Sequence, residues 1–247
     1  MTADNFISGI YNYCDRWCER CIFTRSCAVF DQTEKMIDGE GGNDLETFFE
    51  KLKDILEKTH KILDEKLKEI YPEGIPNEIS EEYELKNAEI EKKIDGHALY
   101  QSAKEYSSLV RRWFEENEKI LSLRHDDYNS KSSELGEAVR PKKNELLSEV
   151  VEIILFYQYF IEVKIKRALF DKYEYEEDNE DYLENILTTQ KLILLAVTRS
   201  LASWEILYDQ MKHQNNSLAI MLHLDKIKRG AESIFPQAQS FKRPYFD

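Results

Sequence analysis

The sequence predicts an all-α protein: a helical bundle of about five helices, several of them long, with an N-terminal four-cysteine metal-binding segment. Three observations lead there. Only 8 Gly and 5 Pro punctuate 247 residues, which leaves room for long helices and little for a many-stranded sheet. Apolar residues recur at helical spacing through most of the chain. All 4 cysteines lie between Cys14 and Cys27, and the rest of the chain has none. Thiols that dense cannot staple so long a chain, but they can surround one ion or cluster.

Composition narrows the class. The hydrophobic fraction is 42% and the charged fraction 33%, which suits a solvated helical protein rather than a disordered one. The formal net charge is −14, a field that repels a polyanionic backbone, so general nucleic-acid binding is not expected. Positive charge does gather locally, at Arg16, Arg20 and Arg25 and at Lys226, Lys228, Arg229, Lys242 and Arg243. The arginines among the cysteines are read as offsetting thiolate charge, with a phosphate- or nucleic-acid-facing patch as the alternative. The N-terminus has neither a basic n-region nor an apolar h-region. The longest apolar runs, Leu192 to Val197 and Ile153 to Tyr157, fall well short of the roughly 20 residues of a membrane span. A cytoplasmic location without membrane contact is expected, where reducing conditions favour metal-bound thiolates over disulfides.

Residues 1–38 form the cysteine-rich segment, carrying Phe6, Tyr11, Tyr13, Trp17, Phe23 and Phe30 as aromatic cover. Asp38-Gly-Glu-Gly-Gly42 reads as a joint, and residues 43–247 as the bundle, one compact unit with the segment. Asn43 followed by Glu46 is a helix-start signature. Phe49, Leu56, Leu63 and Ile70 then recur every seven residues beside Phe48, Leu52, Ile55 and Ile62. They predict one apolar stripe on a helix of about 28 residues, ended by Pro72, Gly74 and Pro76. A second helical stretch spans Ser80 to Leu123 with an irregularity at Asp95-Gly96. Its charged first part is read as solvated, and its second part as core: Leu99, Tyr100, Ala103, Tyr106, Leu109, Val110, Trp113 and Phe114. Asn129 to Arg140 reads as a loop. Pro141 suits the first turn of a third helix reaching Tyr173, which is apolar nearly all round from Leu146 to Leu169 and therefore expected to be central. A fourth helix, Glu180 to Lys212, carries Leu183, Ile186, Leu187, Ile193, Leu194, Val197, Leu201, Trp204 and Tyr208 at helical period. A fifth, Leu218 to Phe235, stops at Pro236.

The cysteine spacing separates the candidate cofactors. Structural zinc sites with four thiolates usually come as two Cys-x2-Cys knuckles a dozen or more residues apart. Here Cys14, Cys18, Cys21 and Cys27 follow a Cys-x3-Cys-x2-Cys-x5-Cys pattern on a single loop. A loop wound round its cofactor better fits a cluster whose several irons each take a nearby thiolate, so an iron–sulfur cluster is the first choice and zinc the second. The last three cysteines resemble the end of the 4Fe–4S loop of endonuclease III-type DNA glycosylases, which also closes Cys-x2-Cys-x5-Cys. The resemblance covers about ten residues; it implies the loop chemistry and not the glycosylase activity, since no helix-hairpin-helix turn or catalytic Lys/Asp pair accompanies it. Cys14, Cys18 and Cys21 also match the radical-SAM spacing, but that family needs a parallel α/β barrel, and a fourth cysteine would fill the iron position kept open for substrate.

Other candidates are weaker. Glu149, Glu152, Gln158 and Glu162 on the third helix, with Glu205 on the fourth, could ligate a carboxylate-bridged di-metal centre, or pair with Arg167, Lys191 or Arg199. Glu-x-x-His occurs once, at Glu57 and His60, on the face opposite the apolar stripe. His97, His125, His213 and His223 have no such glutamate, and no phosphate loop, nucleophile elbow or HExxH is present. The expectation is a metal-binding helical protein whose centre is structural or electron-transferring and which acts by binding another protein. The alternative is a redox metalloenzyme using the cluster or the carboxylates of the bundle.

Overall fold

A computed structural model describes residues 6–37, 45–74, 77–131, 142–175, 180–211 and 217–247. Helix makes up 84% of the structure, and no strand occurs among the described residues. The α-helices are α1 (Ala28–Ile37), α2 (Leu45–Ile70), α3 (Asn77–Asp95), α4 (Ala98–Lys131), α5 (Lys142–Glu174), α6 (Glu180–Gln210), α7 (Ser217–Ile234) and α8 (Gln237–Ser240). The chain divides into two compact units, Met1–Glu89 with Pro244–Asp247, and Ile90–Arg243. α2 and most of α3 group with the cysteine segment in the first of these units. No helix among the described residues is long and apolar enough to cross a membrane.

The second unit is a four-helix bundle. α5 packs most extensively on α6, α6 on α7 and α4 on α5, and α4 closes the ring against α7. Each helix turns its periodic apolar residues inward: Tyr106, Val110 and Trp113 from α4, Ile154, Ile161 and Ile165 from α5, Ile193, Val197 and Trp204 from α6, and Ile220, Leu224 and Ile227 from α7. Trp113 and Trp204 meet edge to face with centroids 5.0 Å apart. Trp204 donates its indole N–H to the Tyr106 hydroxyl at 3.3 Å. Burial of that phenol pushes its pKa up to about 12, so it remains a neutral donor and acceptor. Gly230 lets α7 approach α4, because a Cβ there would lie 3.1 Å from Cδ1 of Leu99. The extra stretch after Pro236, α8, packs on α6, and Lys191 donates to the Gln239 carbonyl at 3.1 Å.

Polar groups lock the register. The Ser107 hydroxyl donates to the Gln158 carbonyl at 2.9 Å, and the Gln158 side-chain amide donates to the Ser107 carbonyl at 2.8 Å. This reciprocal pair joins α4 to α5 in the interior, where leaving either amide group unmet would be costly. The Glu162 carboxylate lies 3.0 Å from the same hydroxyl and competes with the Gln158 carbonyl for its one proton.

The irregularity expected at Asp95-Gly96 is a full break: α3 ends at Asp95, and His97 accepts from the Leu99 N–H through Nδ1 at 3.1 Å, capping α4. Two sequence expectations need correction. α5 is not buried all round, because Leu155, Tyr159 and Val163 form a stripe at four-residue spacing that is 47%, 55% and 62% exposed. Ala28–Ile37, read as part of the cysteine segment, is a helix. The solvated reading of early α3 agrees with Tyr83 and Leu85 at 57% and 69% exposure. α4 runs to Lys131, past the expected loop start at Asn129; the rest of that loop, the joint at 38–42, the Asn43 cap and Pro141 lie outside the described residues.

Candidate metal centre

The four cysteines sit on a chain segment built from successive short turns. 3₁₀ turns occupy Ile10–Asn12, Cys18–Arg20 and Thr24–Ser26. The Cys21 N–H bonds the Cys18 carbonyl at 3.1 Å, and the Cys27 N–H bonds the Thr24 carbonyl at 3.3 Å. Residues three apart eclipse on such a turn, so Cys18 and Cys21 lie on one side of theirs. Gly9 (φ 71°) and Arg16 (φ 65°) adopt the left-handed conformation between turns, which reverses the chain sharply. The Ile7 N–H bonds the Ser26 carbonyl at 2.9 Å, closing the segment into a loop. Cys27 follows that closure and precedes α1, its carbonyl accepting the Asp31 N–H at 3.1 Å. It therefore stands at a helix N-terminus, where negative charge is favoured.

All four thiols are free and half-buried. The Phe23 N–H points at Sγ of Cys21 from 3.4 Å, and the Cys14 thiol lies 3.6 Å from the Tyr11 carbonyl. Burial pushes the Cys18 thiol up in pKa; proximity to Cys14 and Cys27 pushes it further, and Glu19 and Cys21 add to the effect. Burial likewise pushes Cys14 up, against the opposing pull of the Arg16 N–H and guanidinium. Among the described residues, no three or more His, Cys, Asp or Glu side chains are arranged as a metal-holding group. The donor chemistry nonetheless fits a thiophilic ion or cluster: four sulfurs without a disulfide on one closed loop, and a backbone N–H already turned toward one of them.

Aromatic cover is present. Trp17 is 7% exposed and Ile10 is 1% exposed. Phe23 meets Phe246 edge to face at 5.1 Å, so the chain's last residues pack on the cysteine loop. The arginines lie on rings: Arg20 over Trp17 at 4.4 Å and Arg16 over Tyr11 at 5.8 Å. That packing keeps positive charge at the loop rim.

The remaining candidates do not gather into a site. Glu149, Glu152 and Glu205 are exposed, Glu162 is half-buried, and only Gln158 is buried. A di-metal centre needs carboxylates projecting together into the interior, and these do not. Arg167 lies 2.9 Å from Asp171, Lys191 reaches α8, and Arg199 donates to the Tyr157 hydroxyl. Glu57 and His60 are exposed, with Glu57 3.8 Å from Lys53. His97 is a helix cap, and His223 Nε2 lies 2.8 Å from the Ser102 carbonyl, tying α7 to α4. Among the basic residues near the C-terminus, Arg243 is only 5% exposed and Arg229 pairs with Asp225 at 2.8 Å, so these two do not form a phosphate-facing patch. His125 and His213 lie outside the residues whose side chains are described. The sequence reading missed the His97 cap, although a polar residue after Gly96 and just before an apolar helix was its signal.

No family model, curated protein or solved structure matches the chain.

Proposed function

We propose that Cys14, Cys18, Cys21 and Cys27 hold one metal centre, an iron–sulfur cluster in the first instance and zinc in the second, and that the helical bundle acts through binding a protein partner. One observation carries this reading: four free thiols close together in sequence, three within the loop closed from Ile7 to Ser26 and Cys27 directly after that closure. Burial first, and neighbouring thiols second, hold Cys18 above the ordinary thiol range; a shared cation would remove both the desolvation cost and the repulsion. A bound cluster would supply one-electron chemistry, and zinc would supply only cross-linking.

The chain's own residues define what the centre does. Cys18 and Cys21 present two sulfurs from one turn, Cys14 enters from the preceding turn, and Cys27 anchors the set to α1. Four protein ligands leave no open coordination position, which favours a structural or electron-transfer role over catalysis at the metal. Buried Trp17 and Ile10 give the loop an apolar base, and Arg16 and Arg20 would offset the net negative charge of a four-thiolate centre. Glu149, Glu152 and Glu205 are exposed and Glu162 is taken up by Ser107, so a redox metalloenzyme built on the bundle carboxylates is the weaker reading, leaving the cluster as the redox group of that alternative.

Anaerobic purification with iron, zinc and acid-labile sulfide analysis tests the reading. Brown protein whose visible absorption bleaches on reduction identifies a cluster, and colourless protein with one zinc per chain identifies the structural ion. Protein that carries neither, while all four thiols react freely, contradicts the proposal.

A further inference from the structure

Pro244–Asp247 belongs to the same compact unit as the cysteine loop. Its contact with that loop falls on one particular residue. The Phe246 ring meets the Phe23 ring edge to face at 5.1 Å and 74°, a geometry that aromatic quadrupoles favour. Phe23 is also the residue whose N–H points at Sγ of Cys21, from 3.4 Å. Its carbonyl accepts the Ser26 N–H at 2.9 Å, so the turn that follows holds its backbone from the other side. Cys21 is extended at φ −86°, ψ 127°, and Phe23 turns back at φ −100°, ψ 11°. That change of direction presents the Phe23 N–H to the sulfur.

The backbone beside Phe246 is strained. Tyr245 adopts φ 69°, in the left-handed region that a large side chain rarely enters. Strain of this kind persists only where surrounding contacts hold it. Phe246, the next residue, supplies such a contact through the Phe23 ring.

We propose that residues 244–247 are a clasp on the cysteine loop, in which Phe246 is a positioning residue for the Cys21 sulfur. Phe246 fixes the Phe23 ring, the ring fixes the Phe23 peptide, and the peptide N–H stays aimed at Sγ of Cys21. A sulfur accepts weakly as a thiol and more strongly once it bears negative charge, as a thiolate or a metal ligand. The clasp therefore shields Cys21 in the metal-free chain and slows the departure of a bound ion. The second consequence rests on the proposed metal centre; the first does not. Cys14 is the internal reference, because its thiol lies against the Tyr11 carbonyl at 3.6 Å instead.

Alkylation of the reduced, metal-free full chain by iodoacetamide at fixed pH, resolved by site with peptide mass spectrometry, tests this. The ratio of the Cys21 rate to the Cys14 rate should rise about fivefold in Phe246→Ala, the factor one aromatic pair supplies to a local opening equilibrium. Phe246→Tyr keeps the ring and should restore the wild-type ratio. Tyr245 gives a second route that leaves Phe246 intact. Tyr245→Gly suits the left-handed backbone and should keep Cys21 protected, whereas Tyr245→Val resists it and should raise the ratio as Phe246→Ala does. An unchanged ratio in both Phe246→Ala and Tyr245→Val, or a rise shared equally by Cys14, would overturn the proposal. In zinc-loaded protein, transfer of the ion to a chelator should quicken by about the same factor in Phe246→Ala, and equal transfer rates would overturn the clasp's hold on the metal. Wild-type protein that takes up no zinc or iron would contradict the metal centre, and the Cys21 ratio would still decide the clasp.

Discussion

Ile154 and Leu155 are adjacent on α5 and equal in side-chain volume, yet Ile154 is 0% exposed and Leu155 is 47% exposed. Truncating each to alanine therefore compares burial at neighbouring sites, with only a few tenths of a kcal/mol, roughly, separating the helix propensities of Ile and Leu. Ile154→Ala removes three carbons from a closed interior, losing their transfer free energy and leaving a cavity, about 2–5 kcal/mol. Leu155→Ala removes atoms already half in water and leaves no enclosed void. Full burial of such a side chain is worth about 2–3 kcal/mol, so half of it costs about 1 kcal/mol. Urea denaturation followed by far-UV circular dichroism reads the difference. With a slope of about 2 kcal/mol/M, the midpoint should fall by about 1–2.5 M for Ile154→Ala and about 0.5 M for Leu155→Ala. Leu155→Asp should also fold, since its charge reaches water. Equal losses for the two alanine variants would refute the burial pattern, and with it the packing of α5 between α4 and α6.

Three further outcomes follow from particular contacts. Gln158→Leu removes the donor to the Ser107 carbonyl and should cost about 1–3 kcal/mol, lowering the melting temperature by several degrees; an unchanged transition would show that the pair does not lock α4 to α5. Burial, with Lys172 nearby, lowers the pKa of His97 below the ordinary histidine value of about 6.5. The unfolded chain then binds the proton more readily than the folded one, so the cap's contribution is complete above pH 6.5 and is lost as pH falls through the folded value. His97→Asn, a cap that does not titrate, should flatten the decline in stability between pH 7 and 5, and a profile parallel to the wild type would contradict the capping role. Cys21→Ser should release the metal and destabilise the N-terminal unit by roughly a few kcal/mol while the helicity of Ile90–Arg243 survives; full collapse of helicity would make the site integral to the core.

Most of the helical architecture was legible because it rests on periodicity and breakers. The α2 helix ends where Pro72 removes a donor and Gly74 adopts φ 91°, and α7 ends just before Pro236, each within a residue or two of the expected limit. What periodicity does not encode is the partner of each face. Leu155, Tyr159 and Val163 are as apolar as Ile154 and Ile161, so the sequence made α5 look buried throughout; only the ring of four helices shows which side is covered. The stripe of α2 was visible for the same reason, and its exposure was not. α1 escaped notice because its start is marked by Cys27, whose thiol reads as a ligand rather than a cap. At the candidate site, residue types and density were readable, whereas the loop closure from Ile7 to Ser26 and the left-handed turn at Arg16 depend on backbone geometry that spacing does not specify.

The central claim is that the four thiols serve one centre, and metal and sulfide stoichiometry on anaerobically purified full chain tests it most directly. One centre per chain is expected, about four iron with about four sulfide or a single zinc, present in the wild type and lost in Cys21→Ser. Metal-free protein with four freely reactive thiols, or metal retained undiminished by Cys21→Ser, would contradict it.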